Sequence, residues 1–305
     1  IFSNELRNPE DFYLVEKVYS GEKSFSFDFP VRFFANYVPV LKKDDLENLC
    51  PNCVNYNTPD CDKKAGEVKT FTCIATSSIR RNKDNKKIGS PLLGFLKADV
   101  DNLGFIFKLG LGNKISISRY TNLSRMLNTF FTGYIETIIR SEKRFQNVYM
   151  VYAGGDDLFL LSDWETSILL AERIYKDFKE FACNNKDITL SCGIEINKPR
   201  YPVRMAVEQA NSSLEKSKSG GRDSITFFNT TVRWEDFDSL KEFAEFLKER
   251  QGDEKSKIKT GFVHRLLKYH LMAEKAFRDF DADVEGLRFH YLMTVSYTHL
   301  TLPTN

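Results

Sequence analysis

Three features of the sequence predict an α+β fold with the ferredoxin-like order βαββαβ. Residues 148–161, VYMVYAGGDDLFLL, are two apolar β-type runs meeting at Gly154-Gly155. Two glycines between such runs predict a hairpin centred on them, because its tight turn needs positive φ. Residues 92–101, LLGFLKADVD, are a further apolar strand upstream. Segments on both sides of the hairpin repeat apolar residues at spacings of three and four, as amphipathic helices do.

Taken in order, residues 1–90 are a mixed linker region. FSFDFP (25–30) and RFFANYVPV (32–40) are strand-like, and a cysteine segment and a basic loop, Arg80–Lys87, follow. Residues 91–230 alternate strand and helix. After the strand at 92–101 comes a glycine-punctuated stretch (105–113). A helix is then predicted over 115–140, with Ile117, Tyr120, Leu123, Leu127, Phe130, Phe131, Tyr134 and Ile138 on one face. The hairpin follows, then a helix over 164–183 carrying Ile168, Ala171, Ile174, Tyr175, Phe178 and Phe181 on one face. ITLSCGIEI (188–196) is a strand, 203–218 a helix and 224–228 a last strand, an αβ extension of the βαββαβ unit. Residues 231–294 are a charged helical region with Phe237, Leu240, Phe243 and Leu247 along one stripe. Residues 295–305, VSYTHLTLPTN, break that pattern and read as a non-native tail. With Ile1 rather than Met at the start, the chain reads as a fragment of a longer protein.

Composition excludes several classes. A chain of 305 residues holds enough apolar content for a large core. A net charge of +2 is no polycationic signature, and no apolar run reaches the length of a membrane span. Six cysteines in a chain this long do not make a secreted disulfide scaffold. A reducing, cytoplasmic setting is expected.

The chemistry concentrates in carboxylates. On adjacent strand positions, Asp156 and Asp157 are expected to point to opposite faces. Like charges held so close favour a divalent cation, and hard oxygen ligands suit Mg²⁺, or Mn²⁺, carrying phosphates. Asp99-x-Asp101 ends the upstream strand. If that end lies beside the hairpin tip, Asp99, Asp156 and Asp157 make the carboxylate set that holds metal across a phosphoryl transfer. Asp101 is then expected to hold the loop. The alternative is an acidic turn and a polar strand end in solvent. The backbone of Asn102, Leu103 and Gly104 is placed to cradle phosphate. Gly154 and Gly155 let a triphosphate approach without a Cβ in the way.

Cys50-Pro51-Asn52-Cys53 is half of a zinc knuckle, which Cys61 and Cys73 can complete as a four-thiolate site. Cys183 and Cys192 sit in apolar patterns and read as core. His264 and His270 do not share a helix face, which argues against a metal pair, and no His-Asp doublet occurs in the chain.

The set LKADVDNLG, SISRYTNLSRMLNTFF, VYMVYAGGDDLFL, ITLSCGIEI and LEKSKSGGRDSITFF resembles the second palm domain of the large subunit of type III CRISPR effector complexes, the III-A (Csm) form more closely. The resemblance implies conversion of ATP to cyclic oligoadenylate when the complex holds a cognate target RNA. It implies crRNA, target RNA and other Csm-type subunits, a small helical one among them, as partners. It also implies zinc in the linker, although that family usually carries a second CxxC that this chain lacks. The family's N-terminal HD nuclease is not expected in this chain. Lys218-Ser-Gly-Gly-Arg222 is similar to the lysine-to-arginine spacing with which GGDEF-type cyclases grip phosphates, and is equally the profile of a solvated helix C-terminus. Two other readings stand beside this one. A diguanylate-cyclase-like enzyme is disfavoured by Phe107 at the guanine-contacting position and by aspartates in place of the signature glutamates. A non-catalytic scaffold is disfavoured by the intact motif.

Overall fold

In the computed structural model the described residues are 37–252, apart from 57, 59–60, 62–63, 82–83 and 111–115, with a few more between 261 and 272. The expected strand at 25–30, the first part of that at 32–40, His264 and the tail at 295–305 lie outside them.

The linker is more regular than its sequence suggests. It holds α1 (Lys43–Asn48), a 3₁₀ turn at Cys50–Asn52, α2 (Phe71–Thr76), and a small hairpin of β1 (Arg80–Arg81) and β2 (Lys87–Ile88). Thr70 caps α2 by accepting the amide of Cys73 at 3.3 Å. A buried ion pair docks this region. Lys69, 2% exposed, donates to Asp45 at 2.7 Å and to Asn147 Oδ1 at 2.7 Å.

The expected βαββαβ unit follows. It comprises β3 (Leu93–Val100), a helical run from α3 (Ile117–Asn128) through a π-helical segment (Thr129–Tyr134) to α4 (Ile135–Ser141), the hairpin β4 (Tyr149–Gly154) and β5 (Asp157–Asp163), α5 (Trp164–Phe181), and β6 (Leu190–Asn197). The αβ extension is α6 (Val203–Ser219) and β7 (Ser224–Phe227). β8 (Thr230–Arg233) then leads into α7 (Trp234–Gly252). The six strands lie in the order β4-β5-β3-β6-β7-β8. β6–β7 is parallel because α6 crosses over between them, and the other pairs are antiparallel.

Strand alternation separates two faces. Leu96, Ala98 and Val100 join the large core beneath α3, α4 and α5, with Phe131, Ile135, Leu170 and Phe178. Phe95 faces the other way, into a smaller cluster with Ile74, Ala75, Ala206 and Ala210 of α2 and α6. Close contact on each side requires glycine. A Cβ on Gly94 would come within 2.4 Å of Ser167 Oγ, and one on Gly193 within 2.2 Å of the Leu214 backbone nitrogen.

Three expectations change. The helix at 117–141 does not bury one continuous stripe, because the π-helical segment breaks the 3.6-residue period. Ile117 is 88% exposed, and Tyr120 and Tyr134 are also exposed, whereas Phe130, Phe131 and Ile138 are core. On α7 only Phe237 of the stripe is buried, with Leu240 and Phe243 exposed. β8 is an added strand that no sequence signal marks. Its turn places Phe228 and Asn229 at φ +48 and +63 without any glycine to signal it.

Candidate functional site

Glycine chemistry builds the hairpin tip, one residue later than the sequence suggests. Gly154 closes β4 against Asp157, the first residue of β5. The two-residue turn is therefore Gly155-Asp156, with positive φ (+67) at Gly155, the position where a type II′ turn takes glycine. The Gly155 amide donates to Asn128 Oδ1 at 3.2 Å, and the Asp156 carbonyl accepts the Val100 amide at 3.2 Å. The tip is thus tied to both α3 and β3.

This register settles the carboxylates. Asp157 stands directly opposite Asp99 across β5 and β3, so the two share a face. Cross-strand partners have Cβ atoms about 5 Å apart. Asp156 is not on a strand face at all; it occupies the turn and acts on both from the tip. Burial raises the Asp99 carboxyl above the usual range; the bond and charge of Lys218 pull it back, and Asp156 and Asp101 push it up again. Burial likewise raises Asp157, opposed by the charge of Lys97 and reinforced by Asp99 and Asp156. Asp157 Oδ1 is buried with no hydrogen-bond partner. Among the described residues no three ligand-type side chains stand close enough to hold an ion as they are placed.

Lys218 fills part of that space. It lies in the last turn of α6, half-buried, and its ammonium pairs with Asp99 Oδ2. Burial works against its charge, yet the bond to Asp99 keeps its pKa above the ordinary value. Lys218 is thus neither a solvated helix end nor free for a phosphate as it stands. Arg222 is exposed at φ +64 in the turn that follows. Asn102 has φ +55 and starts the helical turn Leu103–Phe105, so the 102–104 bend lies exposed just past the carboxylates. Behind it opens an apolar cavity of about 170 Å³, lined by Val100, Leu103, Ile106, Leu123, Met126 and Phe181 among others.

Asp101, the loop-holding residue, is 1% exposed and accepts hydrogen bonds from Thr189, Ser191 and the amide of Asp223. No sequence pattern marks Asp223. Its Oδ1 is buried without a partner, and burial and then Asp101 raise its pKa.

Cys50 and Cys53 flank the 3₁₀ turn, and the Asn55 amide donates to Cys53 Sγ at 3.4 Å. Cys50, Cys53 and Cys73 are buried and Cys61 is half-buried. Burial and then Cys73, Cys61 and Cys53 push up the Cys50 thiol, so the four lie near one another without standing in ligand geometry. Cys192 is core as expected. Cys183 is exposed at φ +54 beyond the end of α5, because the helix stops before it.

The antiparallel βαββαβ sheet, with carboxylates opposed across its central strands, defines a palm-type domain. Residues 92–226 match the family model for the second palm domain of Cas10/Cmr2. Cas10/Csm1 of subtype III-A from Methanocaldococcus jannaschii, described as a CRISPR system single-strand-specific deoxyribonuclease, is 40% identical over 171 residues, 49% of this chain and 21% of that protein. The Enterococcus italicus counterpart is 27% identical over 223 residues, 72% of this chain and 27% of that protein. The chain thus spans about a quarter of these relatives. Among solved structures, the Csm1-Csm4 subcomplex of the type III-A interference complex superposes with a TM-score of 0.62 at 24% identity, covering 89% of this chain and 36% of that one. A Csm1-Csm4 cassette in complex with cA4 gives 0.60 at 23%, covering 86% and 35%. Among the described residues no helix is long and apolar enough to cross a membrane.

Proposed function

We propose that this chain is the nucleotidyl-transfer palm of a type III-A large subunit and makes cyclic oligoadenylate from ATP within an RNA-guided complex. The observation that carries the reading is Asp99 opposed to Asp157, with Asp156 at the adjoining tip and one Asp157 oxygen buried without a partner. Such an arrangement is unfavourable for its own sake. Its all-oxygen donor set fits a hard divalent cation. Related proteins support the substrate: Csm1-Csm4 cassettes have been solved with one ATP, with pppApA and with cA3.

Joining two ATP units requires a 3′-hydroxyl to attack an α-phosphorus while pyrophosphate leaves in line. A divalent cation, when bound, would lower the proton affinity of that hydroxyl and neutralise the leaving oxygens. The residues that would hold it are Asp99, Asp156 and Asp157. Lys218 exchanges Asp99 for the triphosphate, and Arg222 meets the same charge from the exposed turn. Gly155 carries the close approach, since nothing lies within 4 Å of where its Cβ would be. The apolar cavity behind the 102–104 bend accepts the adenine, whose flat face suits Leu103, Ile106 and Leu123. Cys50, Cys53, Cys61 and Cys73 are the residues that would hold a structural zinc, which would supply tetrahedral thiolate cross-linking of the linker. crRNA, target RNA and other Csm-type subunits supply the control.

The test is ATP turnover by the full-length protein in its RNA-loaded complex, with products resolved by mass, for the wild type and Asp156→Ala/Asp157→Ala. Adenylate oligomers that vanish in the variant support the reading. Equal turnover in both overturns it.

A further inference from the structure

The turn after α6 is strained. Gly221 at φ +114 is followed by Arg222 at φ +64 and Asp223 at φ +46, two consecutive residues without glycine's freedom in the left-handed region. Backbone of this kind persists only where its surroundings overdetermine it, and it concentrates at functional sites.

What fixes it is Asp101. Its Oδ2 accepts the Asp223 amide at 3.1 Å and the Thr189 hydroxyl at 2.8 Å, and its Oδ1 accepts the Ser191 hydroxyl at 2.7 Å. The Arg222 amide donates to the Ser217 carbonyl at 3.1 Å, and the Asp223 carbonyl accepts from Trp234 at 3.1 Å. The Asp223 amide is the group that bonds to Asp101, while the Asp223 Oδ1 is buried without a partner. One fully buried carboxylate thereby joins the end of β3, just past Asp99, to β6 and to the turn that begins just past Lys218.

We propose that Asp101 is a positioning residue: by holding the Asp223 amide it fixes the strained turn, and with it the stance of Lys218 and Arg222 against the Asp99–Asp157 edge. The inference rests on the phosphate-binding role given above to those two cations. It assigns Asp101 no contact with nucleotide or cation.

The test is the affinity of a fluorescent, non-hydrolysable ATP analogue, with Mg²⁺, for the full-length protein in its assembled complex. Asp101→Ala weakens binding about tenfold, the loss expected for one hydrogen bond to a charged group. Asp101→Asn keeps an oxygen for the Asp223 amide and restores affinity to near the wild type. The Asp101→Ala/Arg222→Ala pair loses less than the product of the single losses, because both act through one turn. If Asp101→Ala does not fold, Asp101→Ser serves in its place, being too short to reach the Asp223 amide. Wild-type affinity in the Ala or Ser variant, no rescue by Asn, or losses that multiply would each overturn the inference. Absence of analogue binding by the wild type would instead overturn the functional reading on which it rests.

Discussion

Replacing Asp157 by Asn stabilises the metal-free protein. Asp157 faces Asp99 across the β3–β5 ladder, with one oxygen buried and unpartnered. Two unit charges about 5 Å apart at an effective dielectric near 20 repel by about 3 kcal/mol. Lys218 on Asp99 and the charge of Lys97 offset much of this, leaving about 1 kcal/mol at a half-exposed site. Removing the Asp157 charge therefore raises Tm by about 2–4 °C in the absence of divalent cation. The pH dependence has a definite sign. The folded Asp157 carboxyl sits above its unfolded value, so the wild type loses stability as pH rises through the window between the two. The variant's advantage is full at neutral pH and disappears on acidification below the ordinary carboxylate range. Thermal melts of both proteins from about pH 3 to 8, with and without Mg²⁺, check this. Mg²⁺ raises the wild-type Tm and leaves the variant's unchanged. A variant less stable than the wild type at neutral pH without metal would refute the argument that the two carboxylates are held in opposition.

Lys69→Met leaves Asp45 and Asn147 without their cation in a buried setting, and costs about 3 kcal/mol; limited proteolysis then cuts the linker faster. Gly193→Ala drives a Cβ into the Leu214 backbone and destabilises by about 3 kcal/mol, read as a lower urea midpoint.

Much of the palm was legible because its signals are local. Apolar runs and glycine place β3 and the hairpin, and helical spacing places α5. The hairpin centre lies one residue beyond the expected place because either Gly154 or Gly155 can supply the positive φ; only pairing with β3 decides between them, and that decides which carboxylate faces Asp99. The exposed end of α3 departs from the expected stripe because a π-helical segment leaves no mark in the apolar spacing that precedes it. The Lys218–Asp99 pair and the bond from Asp101 to Asp223 join residues far apart in sequence, so no local pattern could show them. α1 and α2 are short and draw their stability from docking on the sheet and the hairpin base rather than from propensity.

The central claim is that Asp99 and Asp157 together hold the cation that accompanies ATP. It is tested most directly by electron paramagnetic resonance of Mn²⁺ bound to the protein with a non-hydrolysable ATP analogue. The account predicts a bound Mn²⁺ signal in the wild type that weakens at least about tenfold in both Asp99→Ala and Asp157→Ala, each removing one charged ligand. Undiminished Mn²⁺ binding in either variant would contradict it.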